Sequence, residues 1–376
     1  MSRRRLLGAV LAALALAVPV TAEGEPSTPL QQALAFVPPT ADVAGLDFVD
    51  WAQLKQLHGA ADVTGTSPLP ERQRLLLDVG RWEAAPMPFG FDRTPRWAET
   101  WGWDSTDLEW EARVYGRFAV MRFGEHWDAQ PFRVALAGFG YLAEIIDGGT
   151  VYHPDPAAEV PWQRRFANMH GLDIHGRGIT EPMVQVALAN DGRTVVFSRV
   201  PAAGERLREA LDADPALVAT SAFGRAAAAL GRPVAASIHA GRVACSEHTV
   251  DRLESYARAA AMSVAPLHRY DALGTGYSRS DASSPPVGRF VFVYPRAEQA
   301  RDDLAGRATL IEEGYAFNDE VRRYEDAAFS LSDARVLDSR LILDVSPVGG
   351  APIHVMRHTM IRPILFATCP PAAAAA

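Results

Sequence analysis

The chain has 376 residues, 48% hydrophobic and 22% charged, with a formal charge of −8. These are globular values, and after loss of a leader about 350 residues remain, enough for one large domain or two ordinary ones. Net negative charge excludes the basic surface that nucleic acid or an anionic lipid face requires.

The N-terminus reads Met1-Ser2-Arg3-Arg4-Arg5, followed by an apolar run over 6–20 and the small residues Val20-Thr21-Ala22. A basic start, a short apolar stretch and an A-x-A-like site predict a secretory signal peptide over 1–22. The run is shorter than the roughly 20 residues of a spanning helix. No cysteine near the cut offers a lipid anchor. Loss of Arg3, Arg4 and Arg5 takes the formal charge from −8 to −11. Those arginines also suit a twin-arginine leader. However, Lys55 is the chain's only lysine, so arginine serves at almost every basic position, and the general secretory route is preferred. No later segment is long and apolar enough to span a membrane.

Residues 23–29 read as a flexible leader, and 30–36 as a short helix stopped by Pro38-Pro39. A strand is expected over 42–48, with Asp50 capping a helix through Leu57. Residues 64–70 form a loop, and 71–115 show many aromatics but little periodicity. A strand over 116–123, a helix over 128–139 and a hairpin about Asp147-Gly148-Gly149 follow. Next come a hairpin about Asn190-Asp191-Gly192, helices after Pro201, Pro215 and Ser221, and a strand over 233–238. Ser246 is expected to cap a helix carrying Val250, Leu253, Tyr256 and Ala260. Residues 272–286, rich in Gly, Ser and Pro, read as a linker.

Beyond it, Gly288-Arg289-Phe290 begins a strand much as Gly116-Arg117-Phe118 does. A helix opened by Pro295, a polar insert over 318–326 and a hairpin about Asp338-Ser339 follow. The recurring order predicts two related β-α-β-β units. The expected class is α+β, antiparallel sheets with helices packed on one face. The first unit spans 30–271, the second 287–369, and a disordered tail 370–376. Cys245 and Cys369, the only cysteines, are expected to pair in an oxidising compartment, the alternative being two buried thiols.

Phe36-Val37-Pro38-Pro39-Thr40-Ala41-Asp42 with Asp50-Trp51 resembles the start of uncharacterised exported proteins of actinobacteria. Trp101-Gly102-Trp103-Asp104, Asp107-Leu108-Glu109-Trp110 and 363–369 share the likeness. The resemblance implies export and a role for the Cys369 tail, and no activity.

Signatures of chemistry are missing. There is no G-x-S-x-G, S-x-x-K, Walker A, H-E-x-x-H or C-x-x-C. His354 and His358 share a helix face, but two ligands make no metal site, so no metal and no cofactor are expected. All eight tryptophans lie within 51–162. Trp97, Trp101, Trp103 and Trp110, interleaved with Asp104 and Glu109, form a candidate glycan surface, since indoles stack on sugars and carboxylates accept from hydroxyls. The competing reading is core packing. The expectation is an exported, non-enzymatic protein binding a ligand or partner at the cell envelope. The alternatives are a glycan hydrolase using the acidic Trp-rich segment, which needs two facing carboxylates, and a structural subunit of an envelope complex.

Overall fold

A computed structural model of the chain describes residues 28–37, 45–82, 101–114, 118–155, 185–198, 200–246, 248–249, 253, 255–264, 267–314, 323–360 and 364–370. The expected signal peptide and residues 371–376 of the tail lie outside these residues.

Thr28 caps α1 (Pro29–Leu34) through a capping box with Gln31, so the expected leader ends in a helix start. The first half then runs β1 (Gly45–Asp50), α2 (Trp51–Leu57), α3 (Leu69–Trp82), β2 (Leu108–Val114), β3 (Phe118–Phe123), α4 (Ala129–Gly138), β4 (Tyr141–Ile146) and β5 (Gly149–Pro154). The hairpin β6 (Gln185–Ala189) and β7 (Thr194–Ser198) leads through α5 (Ala203–Leu211), α6 (Pro215–Thr220) and α7 (Ala222–Leu230) to the second half. That half is β8 (Ala235–Ala240), α8 (Arg242–Ser246), α9 (Ser255–Ser263), β9 (Ala272–Ser278), β10 (Val287–Val293), α10 (Ala297–Glu312), α11 (Tyr324–Ala327), β11 (Phe329–Leu337), β12 (Arg340–Pro347) and α12 (Ile353–Met360). Asp50 and Ser221 cap α2 and α7 as their sequence positions predict, and Asp128, expected as the first residue of its helix, is the cap of α4. Gly148, Gly192 and Asp338 turn the three hairpins with positive φ.

The twelve strands of the described residues join one antiparallel sheet, in the order β11-β12-β10-β9-β8-β1-β2-β3-β7-β6-β5-β4. The α+β class is therefore that of the protein. The two β-α-β-β runs, β3-α4-β4-β5 and β10-α10-α11-β11-β12, are each preceded by a strand, two helices and a further strand. The recurring order thus reaches back to β1 and β8. These strands pair antiparallel, with Asp47 opposite Ser237 at the middle of the ladder, so the two halves meet about a local two-fold axis. One difference separates them: β12 pairs directly with β10, whereas the hairpin β6–β7 sits between β3 and β5.

Alternation along each strand sorts side chains to the two faces. On one face Val49, Met121, Phe123, Val195 and Phe197 pack beneath α2, α3 and α4, while Leu273, Phe290, Phe292 and Leu343 pack beneath α10 and its neighbours. On the other, Phe48, Val120, Val196, Ile238, Val291 and Ile342 meet α1, α5 and α7. Helices pack on the sheet as expected, and they do so on both faces rather than one, because the central strands are apolar at odd and even positions alike.

The expected linker is a correction. Residues 272–278 are β9, buried in the sheet, and only 279–286 form a loop. The glycines belong to packing: a Cβ on Gly274 would lie 3.3 Å from Leu230 Cδ1, and one on Gly276 would lie 2.9 Å from the Ala235 carbonyl. They let α7 lie close on the strand. Two further expectations change. Ser246 is the last residue of α8 rather than a cap, and the next helix begins at Ser255. The end of the polar insert folds as α11, with Tyr324 buried and stacked on Phe329 at 5.2 Å.

Cys245 and Cys369 form a disulfide, Cα atoms 5.5 Å apart. A second device holds the same tail. Arg307 is fully buried on α10. Its guanidinium donates to the carbonyls of Phe366, Thr368 and His268, to Tyr294 Oη and to Asp303, and lies 4.4 Å above the Phe292 ring. Asp303 in turn accepts from the His268 amide and from Tyr294 Oη. A buried charge is tolerable because its donors and its counter-charge are all engaged.

Candidate functional site

The Trp-rich segment is where the sequence placed a ligand surface, and the structure turns it inward. Trp101, Trp103 and Trp110 are 0, 1 and 2% exposed. Trp101 packs on Phe139 at 4.8 Å, and Trp103 meets Phe123 edge-on at 5.3 Å. Their faces are closed to a saccharide. Trp97 lies outside the described residues.

Asp104 is also buried. It caps the 3-10 turn Ser105–Asp107, accepting from the Thr106 amide at 2.7 Å, and pairs with Arg72. Asp107 returns the capping bond to the Asp104 amide at 3.0 Å and accepts from the Gly65 amide at 2.7 Å. The lone lysine, Lys55, reaches in to donate to the Thr106 carbonyl at 2.9 Å. Burial pushes the Asp107 carboxyl up and the Lys55 ammonium down. These acids form an internal knot. A β-bulge between Leu108 and Trp110 sends these two side chains to opposite faces of the sheet.

Among the described residues, Glu109 is the one anticipated site residue that lines the cleft between the two halves. The cleft measures about 790 Å³ and opens where β1 and β9 end and β8 begins, at the junction of the two halves. The strands are tied there by Asp50 N–H to the Val234 carbonyl and Val234 N–H to the Tyr277 carbonyl, each at 2.8 Å. The first half contributes Asp50, Gln53, Gln56 and Glu109; the second, counted from the turn that leads into β8, contributes Arg232, Arg279, Asp281 and Arg289.

Each group is held differently. Asp50 is buried and caps α2, its Oδ1 accepting from the Gln53 amide at 2.8 Å. Burial pushes its carboxyl up to about 6; Glu109 adds to the rise, while the Gln53 and Ala52 amides and Arg232 oppose it. The Gln53 side chain donates to the Arg279 carbonyl at 3.0 Å, stitching α2 to the loop of the other half. Arg279 donates to the carbonyls of Ser284 and Ala282, and Asp281 accepts from the amides of Ser283 and Ser284, so the loop is built from its own polar groups. Glu109 pairs with Arg193 at 2.8 Å and Arg122 at 3.8 Å. Arg289 is neutralised by Asp344, at 2.6 Å from Nε. Among the described residues no opposite charge lies within 4 Å of Asp50, Arg232 or Arg279.

Beside the cleft, the local two-fold axis is marked by a polar seam. Asp47, Ser237 and Thr275 are successive cross-strand partners, all buried. Ser237 Oγ lies 3.0 Å from His239 Nε2. Register sets Asp47 opposite Ser237, whereas His239 faces Gly45.

His354 is half-buried on α12, and the side chain of His358 lies outside the described residues. Among the described residues no group of three or more His, Cys, Asp or Glu is placed to hold a metal, and no helix is long and apolar enough to cross a membrane.

Sequence reasoning missed Asp50, Arg232, Arg279 and Arg289 as a group. They sit on separate elements, and only the pairing of β1 with β8 brings them together; the one local signal, Asp50 before a helix, reads as a cap. No family model, no curated protein and no solved structure matches the chain.

Proposed function

We propose that the protein is exported and binds a small polar ligand in the cleft between its halves, at the cell envelope or outside the cell. The observation that carries this reading is the cleft itself: its walls come from different halves, and it keeps Asp50, Arg232 and Arg279 free of charge partners within 4 Å among the described residues. Its volume lies within the roughly 300–1,000 Å³ of small-molecule sites. The leader-like N-terminus and the disulfide support export, as does the resemblance of the chain's motifs to exported actinobacterial proteins.

A thermal-shift screen of small polar metabolites tests the reading. The expected result is stabilisation by at least one compound, lost in Arg232→Gln. Stabilisation by none, or hits that ignore both Arg232→Gln and Asp50→Asn, contradicts it.

A second reading, glycan hydrolysis, is favoured by one observation. Asp50 and Glu109 line the same cleft, the first with its carboxyl raised to about 6 and the second held by arginines. Two carboxyls in unlike environments suit an acid and a base. This reading predicts turnover of an aryl glycoside that disappears in Asp50→Asn.

A further inference from the structure

The charges of the cleft are sorted by wall. The first half supplies carboxylates and amides, through Asp50, Glu109 and Gln53. The second supplies guanidiniums, through Arg232, Arg279 and Arg289, and its one acid, Asp281, is turned to its own loop. Pairing elsewhere trims the set. Arg289 is matched by Asp344 and Glu109 by Arg193, which leaves Asp50 on one wall and, on the other, Arg232 together with Arg279, whose Nε and Nη2 already donate to the Ser284 and Ala282 carbonyls while its charge has no counter-ion within 4 Å among the described residues.

A polyanion such as a nucleotide would meet Asp50 and Glu109 with like charge, and a polyamine would meet the arginines. A neutral sugar would strip water from both walls and replace the lost solvation only in part. A molecule with a cation at one end and an anion at the other restores both. Guanidiniums grip a carboxylate through two parallel hydrogen bonds, and an ammonium satisfies a carboxylate and a nearby amide oxygen. Size narrows the class further. The cleft is about 790 Å³, in the upper part of the range for small ligands, which is generous for one amino acid.

We infer that the cleft binds a short peptide with both termini free, its ammonium toward Asp50 and its carboxylate toward Arg232 and Arg279. This inference rests on the reading of the cleft as a ligand site.

The test uses the disulfide-intact protein and three probes: trialanine, N-acetyl-trialanine and trialanine amide, measured by calorimetry. Trialanine is expected to bind, and blocking either terminus to weaken binding at least tenfold. Arg232→Gln should weaken trialanine and largely erase the preference for the free carboxylate over the amide. Asp50→Asn, which keeps a capping side chain, should do the same for the free amine. Equal binding of the three probes overturns the inference. Binding by none of them, while hits from a wider screen still depend on Arg232, overturns the inference and leaves the ligand site standing. Binding by none, with no hit that depends on Arg232, overturns both.

Discussion

Replacing Glu111 by Gln removes a proton that the folded chain holds far more tightly than the unfolded one. Glu111 sits on β2 opposite Val49 and is 2% exposed. Its Oε1 has no hydrogen-bond partner among the described residues. Burial pushes the carboxyl from its ordinary 4.5 to about 8, with the Trp51 indole and Arg113 opposing the shift. The folded state therefore binds more protons than the unfolded state between these values, and stability falls as pH rises through that window, then levels off above the folded value. A separation of about 3.5 units corresponds to about 5 kcal/mol over the full window, of which about 3 kcal/mol is already lost at neutral pH. Glu111→Gln cannot ionise, so the pH-dependent part of this loss is absent. Asp50 and Asp107 are also raised, and Asp50 titrates near 6, so the cleanest window lies above neutrality. Between roughly pH 7 and 8.5 the wild-type protein should lose about 1.3 kcal/mol through this group, and the variant should not. Urea unfolding at several pH values measures both slopes. The slope is informative whatever the buried amide itself costs. Equal slopes for wild type and variant over that range would refute the reasoning.

Cutting the disulfide by Cys369→Ser frees a loop of 124 residues' separation; chain entropy sets the loss at about 5 kcal/mol as an upper figure, read as a fall in melting temperature that added reductant reproduces in the wild type alone. Arg307→Met leaves Asp303 buried without its cation, so a loss of about 3–5 kcal/mol is expected, with faster amide exchange in residues 364–369; unchanged exchange there would mean that the guanidinium does not hold the tail. Trp103→Ala should cost about 3–5 kcal/mol as a core cavity, and ligand binding in the folded variant should persist, because the indole packs on Phe123 and Phe197 rather than lining the cleft.

Local patterns carried much of the fold. The apolar runs of β10 and β12, the caps Asp50 and Ser221, and the Gly and Asp turns all act within a few residues, and each folds where the sequence places it. Two strands were harder to see. In β2 the sequence Leu-Glu-Trp-Glu-Ala-Arg-Val does alternate, but it lies inside a segment dense in acids and indoles, and Glu111 is buried along with its apolar neighbours. In β9 the glycines that signal a linker are those that allow α7 to approach. Among its described side chains the helix α3 buries only the narrow stripe Leu75, Leu76 and Val79 while Leu77 faces solvent, which blurs its period.

The site was legible in one residue. Glu109 was singled out for its acidity beside indoles, and it reaches the cleft although Trp101, Trp103 and Trp110 do not. The remaining groups come from positions 50, 53, 232, 279 and 289. Their juxtaposition depends on β1 and β8 meeting at 190 residues' separation, Asp47 against Ser237, and on the Gln53 side chain reaching the Arg279 carbonyl. Pairing between strands so far apart leaves no local spacing to read.

The most direct test of the account is a hydrogen-exchange footprint of the protein with and without a bound hit from the polar-metabolite screen. Binding at the junction predicts protection in both halves at once, over 50–57 in one and over 230–232 and 278–282 in the other. Protection confined to a different surface, with these segments unchanged, would contradict the assignment of the cleft as the ligand site.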